Sequence, residues 1–163
     1  MLGRTVLKKV MPAMKQRDHA ASDESEIREL IARWSRAVRD ENLAGIRADH
    51  DPDILMFDVP PPFLSRGLDP YMATWQTFFS WQAKPVEFDL RDVEVTAGKD
   101  VAFATAVGRC GDLSSGKRVE LEFRLTMGFR KHDGRWCVVH EHHSIPATDA
   151  PASLQVVVKS EPE

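Results

Sequence analysis

Arg135-Trp-Cys-Val-Val-His-Glu-His-His-Ser-Ile-Pro146 sets the terms for the rest of this chain. It opens apolar, then carries four consecutive titratable residues, His140, Glu141, His142 and His143, before a proline ends it. Strands that serve only a core alternate apolar and polar, or run apolar throughout. Successive side chains of a strand take opposite faces, so Glu141 and His143 share one face and His140 and His142 the other. Such a polar cluster is solvated, part of an interface, or lining a cavity.

Working upstream, Gly98-Lys99-Asp100, Ser114-Ser115-Gly116 and His132-Asp133-Gly134 separate apolar-rich runs at hairpin spacing. Val86, Phe88 and Leu90 share a parity that Val93 and Val95 break, and this phase slip at Arg91-Asp92 predicts a β-bulge that bends the strand. With His132-Asp133 as the turn of the last hairpin, Arg124 opposes Glu141, Glu122 opposes His143 and Thr126 opposes Val139. Phe123, Leu125, Met127 and Phe129 then share the other face with Trp136, Val138, His140 and His142. A one-residue slip would exchange the faces.

Further upstream the period is helical. Ile27, Leu30, Ile31, Trp34, Ala37 and Val38 form one apolar stripe, and Asp23 with Glu26 predicts a capping box at its start. A short helix is expected over Asn42 to Arg47 and a strand over Ile54 to Val59, leading into the stiff Pro60-Pro61-Pro62 loop. Asp69-Pro70 predicts the cap and first turn of a third helix, reaching Gln82. Three helices followed by long hairpin-joined strands give an α+β domain with a bent, mostly antiparallel sheet wrapped around the helices.

The chain has 163 residues, 42% of them hydrophobic, enough for one domain with a core. A net charge of -3, with both signs mixed along the sequence, gives no electrostatic case for nucleic acid. Two cysteines make no disulfide framework, and no run is apolar enough for a signal core or a membrane span, so a cytoplasmic location is expected. We expect residues 1–22 to be a disordered or loosely helical extension, 23–147 the domain, and 148–163 a tail.

This order of elements, together with three local motifs, resembles the nuclear transport factor 2-like cone of ketosteroid isomerase and the SnoaL-like polyketide cyclases. The motifs are Glu41-Asn-Leu-Ala-Gly-Ile46, Phe57-Asp58 ahead of the prolines, and Asp133-Gly-Arg-Trp136 running into the histidine strand. The resemblance spans roughly residues 26–146. It implies a cone-shaped fold with a pocket on the concave face and, commonly, a homodimer through the convex face of the sheet. It places Asp58 where the isomerase keeps its carboxylate base. At the isomerase's oxyanion positions this chain has Trp34 and Thr126, which argues against steroid isomerisation itself. The fold hosts isomerases, cyclases and dehydratases as well as non-catalytic association modules.

Two readings of the site follow. In the first, Asp58 is a general base and His143 an acid/base, with Trp34, Trp75, Phe79, Arg124, Thr126 and Glu141 lining a site for a small apolar, carbonyl-containing or polyketide-like molecule. In the second, Asp58 caps its loop, Arg124–Glu141 is a structural ion pair, and the protein is a ligand-binding or dimeric association module. The Phe123, Leu125, Met127 and Phe129 face is assigned to the partner subunit. His140 and His142 lack a third metal ligand on their face, so no metal or cofactor is expected.

Overall fold

The computed structural model describes residues 4–82, 84–112 and 119–146. Helices α1 (Arg4–Arg39) and α2 (Leu43–Arg47) lead to strand β1 (His50–Phe57), the short β2 (Ser65–Arg66) and helix α3 (Leu68–Trp81). Strands β3 (Phe88–Ala97), β4 (Val101–Asp112), β5 (Val119–His132) and β6 (Arg135–Ser144) follow. They form one six-stranded sheet in the order β2-β1-β6-β5-β4-β3, antiparallel except where β1 runs parallel to β6. The predicted α+β cone is the fold observed. No helix among the described residues is long and apolar enough to cross a membrane.

α1 buries the expected stripe: Ile27, Leu30, Ile31, Trp34 and Val38 pack in one core cluster with Phe88, Leu125, Met127 and Phe129. The helix begins at Arg4 and not at Asp23, so Asp23 is no cap. Its carboxylate instead ties α1 to the sheet, accepting from Lys131 Nζ and, at 3.1 Å, from Trp136 Nε1. Asn42 caps α2 through Gly45 N–H, as its residue type favours. Gly67 takes the cap position of α3 with φ of 89°, which moves Asp69 into the first turn. The tail 148–163 and the turn expected at Ser114-Ser115-Gly116 lie outside the described residues.

The bulge in β3 is present. Pairing with β4 shifts between Arg91 and Glu94, and Asp92 adopts φ of 54°.

The last hairpin departs from expectation in two steps. Its turn is Asp133-Gly134, both at positive φ (49° and 80°), the geometry two-residue hairpins favour because it matches strand twist. That moves the register by two residues and leaves the faces unchanged. Pairing then passes from Phe129↔Val138 to Gly128↔His140, leaving Val139 unpaired. This odd step exchanges the faces beyond it. Glu141 now opposes Met127 and His143 opposes Leu125, while Arg124 opposes Ser144 and Thr126 opposes His142.

The consequences for the expected faces are direct. Phe123, Leu125, Met127 and Phe129 are core, so the stripe that motivated a sheet-face dimer is already covered by this chain's own helices. Arg124, Thr126 and Glu122 lie on the exposed outer face, where Arg91 pairs with Glu122 and Arg109 bridges Asp89 and Glu120. No Arg124–Glu141 pair forms; Glu141 is held by other groups altogether.

The exchanged faces predict a sharp contrast between neighbours in β5. Leu125→Ala should cost about 2–5 kcal/mol in urea unfolding, as for a buried leucine, and Arg124→Ala should stay within about 0.5 kcal/mol. The register first expected from the sequence requires the opposite ranking.

Candidate active site

β1 and β6 run side by side, pairing Met56↔Glu141 and Phe57↔His142. One step further brings Asp58 against His143, with Oδ1 of the aspartate 3.2 Å from Nδ1 of the imidazole. The Val59 N–H donates to the same oxygen at 2.8 Å. Asp58 therefore caps its loop and holds His143 with one and the same oxygen.

Glu141 stands behind His143 with 0% exposure. Its Oε1 accepts from the Tyr71 hydroxyl at 2.9 Å and lies 2.7 Å from His50 Nε2. The Trp34 indole donates to the Tyr71 oxygen at 3.2 Å, fixing the phenol from the other side. His50 Nδ1 is buried without a hydrogen-bond partner, which fits the tautomer that donates from Nε2 to the carboxylate. The other carboxylate oxygen, Oε2, lies 3.6 Å from His143 Nε2, and neither atom has a hydrogen-bond partner among the described residues. That is too long for a hydrogen bond but close for a charge interaction in a dry site.

Two ionisations are displaced. Burial, reinforced by the Glu141 charge, pushes the Tyr71 hydroxyl well above its ordinary value, so it stays a neutral donor. For His143 burial is the largest influence and acts downward. The hydrogen bond to Asp58, with the charges of Glu141 and Asp58, outweighs it and raises the imidazole above 6.5. An imidazolium between two carboxylates is the state this geometry favours.

The pair opens into a cavity of about 440 Å³. Asp58 and His143 form its polar end, and Trp75, Phe78, Phe88 and Phe123 supply ring surface. The proline loop, Trp81, Cys110, Gly111 and Leu121 also line it. Gly108 is what lets Phe123 lie flat against β4, since a Cβ there would sit 2.1 Å from the Phe123 ring. The cavity's volume falls in the usual range for small-molecule sites, and its lining is largely apolar with a few polar groups, as in such sites. Among the described residues no group of three or more His, Cys, Asp or Glu is placed to hold a metal ion.

Residues 27–148 match the family model described as the SnoaL-like domain. The chain belongs to that family. An NTF2-like protein of unknown function from Pseudomonas putida KT2440 is 34% identical to this SnoaL-like chain over 88% of it and 99% of the other, with a TM-score of 0.73. At lower identity the fold alone is shared. An NTF2-like protein with a cystatin-like fold from Novosphingobium aromaticivorans is 20% identical, covering 92% of this chain and 94% of its own, at a TM-score of 0.66. A ketosteroid isomerase-like protein from Erwinia carotovora atroseptica SCRI1043 is 14% identical, covering 74% and 94%, at 0.63. No curated protein matches the chain.

Of the residues singled out from sequence, Asp58, His143 and Trp75 line the SnoaL-like cavity. Trp34 lies one layer deeper, edge-on to Trp75 at 5.6 Å and Phe88 at 5.4 Å. Phe79 packs against the core beside Trp75 without lining the cavity, and Glu141 acts from behind His143. Arg124 and Thr126 are on the far side of the sheet. His140 is tied to Leu55 O through Nδ1 at 2.8 Å, and both His140 and His142 meet Phe57 edge-on, away from the cavity. Sequence reasoning missed Tyr71, His50 and Gln82. Tyr71 did carry a signal, as the chain's only tyrosine on the apolar side of α3.

Tyr71→Phe should destabilise the fold by about 1–3 kcal/mol in urea unfolding, because Glu141 loses a donor and the Trp34 N–H loses its acceptor.

The His143 shift predicts a pH dependence. A raised folded value means the imidazolium stabilises the fold fully below pH 6.5, and that contribution is lost as pH rises through the folded value. Wild type should therefore exceed His143→Gln in stability most at pH 5–6, with the gap narrowing at pH 8–9. NMR titration should place His143 above 6.5 in wild type and lower in Asp58→Asn, where burial gains weight against the remaining charge.

Proposed function

We propose that this SnoaL-like protein is a cofactor-free enzyme that moves a proton on a small, apolar carbonyl or polyketide-like compound, in the manner of an isomerase, cyclase or hydratase. The observation that carries the reading is the Asp58–His143 pair opening on the cavity and backed by a buried carboxylate. Asp58 Oδ2 takes a proton from the carbon beside the carbonyl. The electron pair moves onto the carbonyl oxygen, where the His143 imidazolium stabilises the developing charge. The proton then returns from Asp58 to another carbon of the same molecule, so the balance closes without an oxidant, metal or cofactor. Glu141, His50 and Tyr71 touch no ligand in this scheme; they hold His143 in position and favour its cation.

The reading differs from that of the steroid isomerase. Its oxyanion positions fall here on Trp34, which donates to Tyr71, and on Thr126, which is exposed. The catalytic charge is supplied by an imidazolium and not by a neutral acid. A cavity that is open and contains Asp58 favours this reading over a non-catalytic ligand-binding or dimeric association module, whose cavity would need no base.

The test has two stages. A thermal-shift screen of ketones and aromatic polyketide-like compounds finds binders, since ligands of the native state raise Tm. Each binder is then incubated in D₂O, and deuterium uptake next to its carbonyl is followed by NMR. Wild type should catalyse exchange, and Asp58→Asn, measured at a temperature where both are folded, should lower the rate by about 10²–10⁴-fold. Binding without exchange, in wild type as in Asp58→Asn, would establish the association module instead.

A further inference from the structure

Among the polar residues of the cavity that the scheme above leaves unused, Gln82 is the one with a buried, unpartnered side-chain atom. It lies just past the C-terminus of α3, is 7% exposed, and lines the cavity. Its Oε1 is buried with no hydrogen-bond partner among the described residues. A buried amide oxygen left unpaired costs free energy that a donor on a ligand would recover. Oε1 lies close to Gly111, where an added Cβ would sit 3.9 Å from it and 3.8 Å from Glu87 Oε2, so Gly111 itself puts no side chain between them. Gly111 lines the cavity too.

The two polar groups stand apart. Along the sheet, His143 pairs with Leu125 and Leu125 with Ala106. Gly111 lies five residues further along β4, roughly 16 Å at strand spacing. Side chains reaching inward from both places make the span between their tips shorter than that, within one cavity. Trp75, Phe78, Phe88 and Phe123 contribute ring surface to the walls. Val59, Trp81 and Leu121 both line the cavity and are partly exposed, so its rim is apolar as well.

We propose that Gln82 is a second polar anchor, and that the ligand is an apolar, ring-bearing ketone with a hydroxyl or N–H donor at the end opposite its carbonyl. This rests on the reading of Asp58–His143 as the carbonyl end. It adds a specificity element that the proton transfer itself does not need. Asp58 acts on the bond to be broken, whereas Gln82 selects which molecules lie long enough, and polar enough at the far end, to present that bond.

The test uses two ketones that differ only in the donor, 4-(4-hydroxyphenyl)-2-butanone and 4-phenyl-2-butanone. Each is titrated by two-dimensional NMR into wild type, Gln82→Leu, Gln82→Glu and Asp58→Asn. Wild type should bind the hydroxylated ketone about fivefold more tightly, the yield of one buried hydrogen bond. Gln82→Leu should bind both alike, while Gln82→Glu, which keeps an acceptor, should keep the preference. Asp58→Asn should also keep it, because the donor end is untouched.

An undiminished preference in Gln82→Leu, or none in wild type, overturns the role of Gln82 and leaves the Asp58 chemistry standing. Preference that follows Gln82 in a protein that catalyses no α-proton exchange establishes the anchor and sinks the enzyme. If neither ketone perturbs cavity residues up to its solubility limit, the ligand class is wrong.

Discussion

A carboxylate with no access to water must find its solvation within the protein, and the centre of this molecule is arranged around that demand. Glu141 is supplied from three places: Tyr71 on α3, His50 at the start of β1, and the charge of His143 two residues along its own strand. Trp34 of α1 completes the set by holding the tyrosine. Two helices, α1 and α3, and two strands, β1 and β6, thus contribute polar atoms to a single site. Removing any one partner leaves a group with nowhere else to turn. Buried ionic clusters are weak sources of net stability, because desolvation offsets the attraction. Their effect here is to fix the geometry of the imidazole that faces the cavity.

The overall architecture could be read from periodicity. The 3.6-residue stripe from Ile27 to Val38 gave the core helix, and the parity break at Arg91-Asp92 gave the bend. Both signals are local, repeated over several residues, and tolerant of small errors. The faces of the last hairpin were not legible. They depend on two single-residue events, a turn placed at Asp133-Gly134 and an unpaired Val139 opposite Gly128. A period-two pattern reverses completely with one extra residue. Four consecutive polar residues gave no apolar alternation from which to detect it.

The same contrast holds for the site. Asp58 was singled out by family position at the end of a strand, whereas His143 was drawn in through the same hairpin face as Arg124 and Thr126 and lines the cavity because of the odd step at Val139. Arg124 and Thr126 were drawn in only by the mistaken pairing. Tyr71 and His50 escaped because their importance lies in meeting Glu141 across 70 and 91 residues of sequence. Gln82 escaped for a different reason: an amide in a helix-terminal position carries no pattern, and its significance is the partner it lacks.

Asp58 and His143 stand 85 residues apart, and the parallel seam between β1 and β6 alone sets them side by side. β6 is the last strand, reached only after β3, β4 and β5 have been laid down in order. Neither half of the pair has a counterpart within its own stretch of chain. During synthesis, then, the pair is absent until the last strand has emerged. It comes into being with the final strand, so a chain stalled one strand short carries much of the cavity wall but not the carboxylate–imidazole pair that ends it.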